Sequence, residues 1–146
     1  MNKLKIKIKK LSENAVIPSY AKIGDAGMDL TAVSRSEISK NYIITYGTGL
    51  SIEIPEGYVG LIFPRSSIYK QDLSLTNSVG VVDSGYRGEI MFKFSVLENE
   101  TNANIYQIGD RIGQLIIIPY PQIEFEEVSE LGLTQRGEGG FGSSGK

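Results

Sequence analysis

Two residue types are missing from this 146-residue chain, and each absence removes a chemistry. Without cysteine there is no disulfide, no thiolate nucleophile and no Cys-ligated zinc. Without histidine there is no imidazole base and no Ser-His-Asp triad. An enzyme built from this sequence must draw its base from Asp, Glu, Lys or Tyr. A metal would sit among oxygen ligands, as Mg²⁺ does. Tryptophan is absent too. No stretch approaches the roughly 20 apolar residues that a membrane span requires. The net charge of -2 excludes a nucleic-acid binder that works by bulk charge. It leaves room for a small anion held by a local arginine cluster.

What remains is material for one β-rich domain. Glycine is frequent at 17 residues, and Ile, Val and Tyr recur between the glycines, as in short strands joined by tight turns. The basic start strictly alternates, with Leu4, Ile6 and Ile8 against Lys3, Lys5, Lys7 and Lys9. It lacks the apolar core of a signal peptide and reads as a strand with one buried face, so the cytoplasm is the expected compartment. Further strands are predicted over 42–46, 50–54, 57–63 and 89–97, the last with Ile90, Phe92, Phe94 and Val96 on one face. Residues 114–118 are a nearly unbroken apolar run, predicted to be a strand buried on both faces. One short turn of helix is predicted over 66–71, capped by a serine. Many short strands with Gly and Pro punctuation describe an all-β sandwich, jelly roll or small barrel. From Gln135 to Lys146 the chain has one aromatic residue and cannot build a core, so it should be flexible alone. An Arg and a Phe among glycines and serines could also close over a ligand.

Four further segments carry chemistry. Val81-Val82-Asp83, Ser84-Gly85 and Tyr86-Arg87-Gly88-Glu89-Ile90 read as a hairpin with Asp83 and Tyr86 at its turn end. Asp83 there either activates water or merely makes an Asx-type turn bond. Phe63-Pro64-Arg65-Ser66-Ser67 ends a strand and offers a guanidinium, two hydroxyls and free N–H groups to a phosphate, or only a cap with a surface arginine. In Gly109-Asp110-Arg111-Ile112-Gly113-Gln114-Leu115 the Asp-Arg pair is expected to form a turn ion pair, while Gln114 could reach a phosphate oxygen. Asp29, between Met28 and Leu30, needs a hydrogen-bond partner if it is partly buried. It would serve structurally or as an outer-shell anchor for hydrated Mg²⁺.

Taken in order, five segments resemble the motifs of the trimeric dUTPase family, enzymes that hydrolyse dUTP to dUMP and pyrophosphate. They are Ala26-Gly-Met-Asp-Leu30, Pro64-Arg-Ser-Ser67, Gly80-Val-Val-Asp-Ser-Gly-Tyr-Arg-Gly-Glu-Ile90, Gly109-Asp-Arg-Ile-Gly-Gln-Leu115 and Arg136-Gly-Glu-Gly-Gly-Phe-Gly-Ser-Ser-Gly145. Gly113 stands where Ala is common and is expected to loosen the start of its strand. Ser144 stands where Thr is common.

The resemblance implies a distorted jelly-roll-like β-barrel with one short helix, a body over 1–134 and a flexible arm over 135–146 that closes over the active site. It implies that Asp83 orients the attacking water and touches the deoxyribose 3′-hydroxyl. Tyr86 would pack under the sugar and leave no room for a 2′-hydroxyl. Backbone groups around Val81, Val82 and Met91 would read uracil, with Asn77 as a further polar contact. Arg65, Ser66, Ser67 and Gln114 would take the phosphates. Phe141 would stack over uracil, and Arg136, Gly142, Ser143 and Ser144 would grip the triphosphate. Mg²⁺ would ride on the triphosphate with no direct protein ligand, and a homotrimer would share its sites between subunits. Such an enzyme would limit uracil incorporation into DNA and supply dUMP. Two rival readings differ in kind. A dCTP deaminase of the same fold would need a Glu where Lys93 stands. A regulatory binding protein on this scaffold would bind dUTP without turnover.

Overall fold

Alternating apolar residues fold the chain into antiparallel strands in which one face of each goes inward. The computed structural model describes residues 2–99 and 101–146. Met1, the start of the predicted N-terminal strand, lies outside them. Among the described residues the strands are β1 (Lys7–Lys10), β2 (Met28–Thr31), β3 (Ser34–Arg35), β4 (Ile43–Gly47), β5 (Leu50–Glu53), β6 (Tyr58–Phe63), β7 (Leu73–Leu75), β8 (Gly80–Val82), β9 (Met91–Val96) and β10 (Arg111–Pro119). One four-stranded sheet has the order β2-β10-β6-β8, a second has β3-β4-β9-β7, and β1 pairs with β5. Leu30, Ile62, Val82 and Leu115 from the first sheet and Ile44, Tyr46, Phe92 and Phe94 from the second form one buried core. This is the jelly-roll-like all-β architecture the motifs imply.

Aromatic rings fill the centre. Phe94 lies 5.7 Å from Tyr46 edge-on, 5.9 Å from Phe92 in a stack and 5.8 Å from Tyr106. Each fully buried ring of this kind contributes about 1.5–3 kcal/mol through lost apolar exposure. The Tyr46 hydroxyl donates to the Tyr106 carbonyl at 2.8 Å, and burial pushes its pKa up to about 12.

Four expectations need correction. The helix is a five-residue 3₁₀ turn, Ser66–Lys70, with Arg65 rather than a serine at its N-cap and no side-chain capping bond. Arg65 is extended there (φ -75, ψ 153), the non-helical backbone that an N-cap position typically takes. The run 114–118 is buried on one face only. Leu115 goes inward, while Ile116 and Ile118 turn outward beside Leu61 and Val59, and Ile118 is 40% exposed. The predicted hairpin over 80–90 is not one. β8 pairs with β6, and β9 pairs with β4 and β7, so residues 83–90 cross from one sheet to the other. Alternation specifies which face is buried but not which strand lies alongside.

Gly113 is the fourth. A bulge between Arg111 and Gly113 sends Ile112 inward, and a Cβ on Gly113 would run into the Phe92 ring and stand 2.9 Å from the Phe63 carbonyl. The glycine therefore makes room for a core ring instead of loosening the strand. Gly113→Ala should cost about 1–3 kcal/mol of unfolding free energy by overpacking. Phe92→Leu should remove most of that penalty when the two changes are combined, as urea denaturation of the double-mutant cycle would register.

Candidate functional site

The crossing from β8 to β9 opens a small cavity of about 160 Å³. Five residues singled out from sequence line it together: Asn77, Val81, Val82, Tyr86 and Met91. Gly80 and Glu89 line it too and were not foreseen. Three features shape this wall. Ser78, with φ 60, sits in the tight turn that returns Asn77 to β8. The Tyr86 hydroxyl donates to the Glu89 carbonyl at 2.7 Å, which fixes the ring. A Cβ on Gly88 would collide with that ring, so only glycine lets Tyr86 lie where it does.

Asp83 follows β8 directly, and the backbone N–H of Tyr86 donates to its carbonyl at 3.1 Å. The turn is thus closed by the main chain. Among the described residues no hydrogen bond engages the Asp83 carboxylate, which is exposed one residue beyond the cavity-lining Val82. The Asx-turn reading of this residue falls away.

A second cluster lies on β2, β10 and the segment after β6. Asp29 receives Nε of Arg65 at 3.2 Å and Nη1 of Arg111 at 3.4 Å. Arg111 therefore pairs with Asp29 and not with Asp110, whose carboxylate accepts the Gln107 N–H at 2.7 Å. Arg111 was missed because its partner lies 82 residues away. Arg65 spends Nε on Asp29, and its Nη fork remains for an anion. Gln114, opposite Asp29 in the ladder, donates Nε2 to the Pro64 carbonyl at 3.0 Å and steadies the chain that carries Arg65. Gly27 admits the Gln114 amide closely. Ser66 and Ser67 follow Arg65 with no capping bond, so neither hydroxyl is committed to the turn. Tyr106, a buried ring whose hydroxyl has no partner, has a pKa raised by burial and partly offset by the Arg65 charge.

The arm residues stand apart. β10 ends at Pro119, and beyond it the chain is exposed apart from a half-covered Gly139-Gly140. Arg136 donates Nε to the Gly139 carbonyl at 2.8 Å, and Phe141 is fully exposed. Gly142, Ser143 and Ser144 lie in a turn of their own, and none of these residues lines the cavity. Lys93, exposed on β9 opposite Thr45, supplies no carboxylate for cytosine deamination.

A cavity walled by Tyr86, an exposed carboxylate one residue beyond its lining strand and a two-arginine cluster on neighbouring strands are features that a nucleotide hydrolase would use. The sequence model of the dUTPase family matches residues 13–145. The chain is 40% identical over 144 residues to the deoxyuridine 5′-triphosphate nucleotidohydrolase of Hydrogenobaculum sp., covering 97% of this chain and 99% of that one. Its fold is similar to the Staphylococcus bacteriophage 80alpha dUTPase solved with dUpNHpp, with a TM-score of 0.83, 29% identity and 97% and 99% of the two chains covered. It is also similar to a mutant of the S. aureus phage phi11 dUTPase that coordinates a structural Mg(II) ion, with a TM-score of 0.74, 24% identity and 87% and 98% covered. The chain belongs to the dUTPase family, and its activity is the hydrolysis of dUTP. Among the described residues no helix is long and apolar enough to cross a membrane.

Proposed function

We propose that this chain converts dUTP to dUMP and pyrophosphate with uracil and deoxyribose in the cavity at Asn77, Val81, Val82, Tyr86 and Met91. The single observation behind this reading is the turn that puts an uncommitted Asp83 carboxylate three residues from the fixed Tyr86 ring. Asp83 holds a water and takes its proton as the water oxygen attacks phosphorus. The bond to the pyrophosphate oxygen breaks, and pyrophosphate leaves. A carboxylate is a weak base at neutral pH, so placing the water and neutralising the phosphates contribute more than basicity. The Arg65 fork, with Ser66, Ser67 and Gln114, receives the phosphates, and Asp29 holds Arg65 and Arg111 toward them. Packing of Tyr86 against the sugar excludes a 2′-hydroxyl.

Among the described residues no three acidic side chains gather as a metal cage, and both Asp29 oxygens already accept from arginines. A directly held protein Mg²⁺ does not fit this donor set. Mg²⁺ carried by the triphosphate does, with Asp29 reaching it only through water. When bound, the ion supplies charge neutralisation.

A homotrimer with shared sites is supported by the outward apolar faces of Ile116 and Ile118 and by the exposed Ile123, Phe125, Leu131 and Leu133. Water is a poor neighbour for so much apolar surface. In the assembly, Phe141 and Arg136 would close over a filled site. The cytoplasm is the compartment this reading implies. Pyrophosphate release across a nucleotide panel tests the reading. With Mg²⁺, dUTP should turn over at least about 10²-fold faster than dCTP, dTTP or UTP, since a site built around polar edges rejects mismatched analogues strongly. Comparable rates for all four would overturn it.

A further inference from the structure

Four ion pairs form among the described residues, and all four fall into two clusters of three side chains. One is Arg65–Asp29–Arg111, already placed at the phosphates. The other is Lys7–Glu53–Arg87, and no step described so far uses it. Its position is informative. Lys7 and Glu53 are direct cross-strand partners on β1 and β5, with Nζ to Oε2 at 3.2 Å. Glu53 Oε1 accepts from Arg87 Nη2 at 3.2 Å. Arg87 then donates Nη1 to the carbonyls of Ser84 at 2.6 Å and Tyr86 at 3.1 Å, inside the turn that carries Asp83. Its own carbonyl accepts the Ser51 hydroxyl at 2.6 Å, again from β5.

The turn needs such support. It is exposed, and it lies between strands that belong to different sheets, so no ladder runs through it. A planar guanidinium spans two carbonyls and a carboxylate through two separate nitrogens in a fixed fork, whereas an ammonium is a single point on a flexible stem. We infer that Glu53, seated by Lys7, acts through Arg87 as a positioning residue that fixes the turn bearing Asp83 and Tyr86. This rests on the assignment of Asp83 to turnover. Exposed ion pairs add little to global stability, so the effect belongs to local geometry. The Lys7 hydrogen bond and charge, then the Arg87 charge, hold the Glu53 carboxyl below its ordinary range. Lowered in the folded state, it stays ionised at neutral pH, and the brace is lost only as pH falls through that lowered value.

Glu53→Gln keeps the shape and removes the charge. In the full chain it should reduce kcat at saturating dUTP about fivefold and leave KM within about twofold, as expected when a reacting group is slightly misplaced. Amide exchange of Tyr86, whose N–H closes the turn, should quicken by a similar factor. The melting temperature should move by no more than about 1 °C. Arg87→Lys should show the same pattern more strongly. Glu53→Gln added to Arg87→Lys should then cost nothing further, since both act along one path. Unchanged exchange, multiplying losses in the double variant, or faster exchange with unchanged kcat would each overturn the inference. Asp83→Asn, run alongside, separates the two layers: if it keeps full turnover, the assignment of Asp83 has failed instead.

Discussion

Asp83→Asn is expected to keep nucleotide binding and lose about 10³-fold in kcat, the range for removal of a positioned proton acceptor. The change is nearly isosteric, and the turn is closed by main-chain atoms that the substitution leaves in place. Arg87 still grips Ser84 and Tyr86, and the Tyr86 ring still rests on Glu89. The slot for the nucleoside therefore survives. What disappears is the negative charge of an exposed carboxylate that, among the described residues, no other group holds. Calorimetry with a non-hydrolysable dUTP analogue should give a Kd within about threefold of the parent, while pyrophosphate release collapses. With no histidine anywhere in the chain, a neighbouring imidazole cannot take over the proton. An unchanged kcat would remove Asp83 from the reaction.

Truncation before Arg136 is the second large effect. It should leave a folded protein whose melting temperature shifts by about 1 °C or less, because the removed residues bury almost nothing. Turnover should still fall by about 10²–10³-fold, since closure excludes water and completes the charge around the phosphates. In this structure Arg136 is curled onto Gly139 and Phe141 meets solvent on all sides. Thermal melts and steady-state kinetics on the same preparation check the two halves. Full activity of the shortened chain would reduce this segment to a linker.

Most strands were legible because side-chain alternation is a direct record of burial. Ile90, Phe92, Phe94 and Val96 were assigned to one inward face, and all four are buried. The missing information was who lies beside whom. The residues from Val82 to Ile90 read as a hairpin because Ser84-Gly85 is good turn chemistry between two apolar runs. Both runs instead enter the same core from different sheets. For the same reason the five cavity-lining residues picked out together all lie within one stretch, 77–91, while the Asp29–Arg111 pair was not readable. Gly113 was misjudged for another reason. Its need is set by the volume of Phe92 on a strand of the other sheet, and no local pattern carries that relation.

The crossing at residues 83–90 has one further consequence. A segment anchored at one end in each of two sheets measures the offset between them, much as a gauge glued across a joint reports its movement. Substitutions deep in the aromatic centre, far from any nucleotide, that let one sheet slide on the other should therefore alter the reach of Asp83 first. In such variants turnover should decline while the melting curve is still intact, and the rate becomes the finer measure of how well the two sheets are seated.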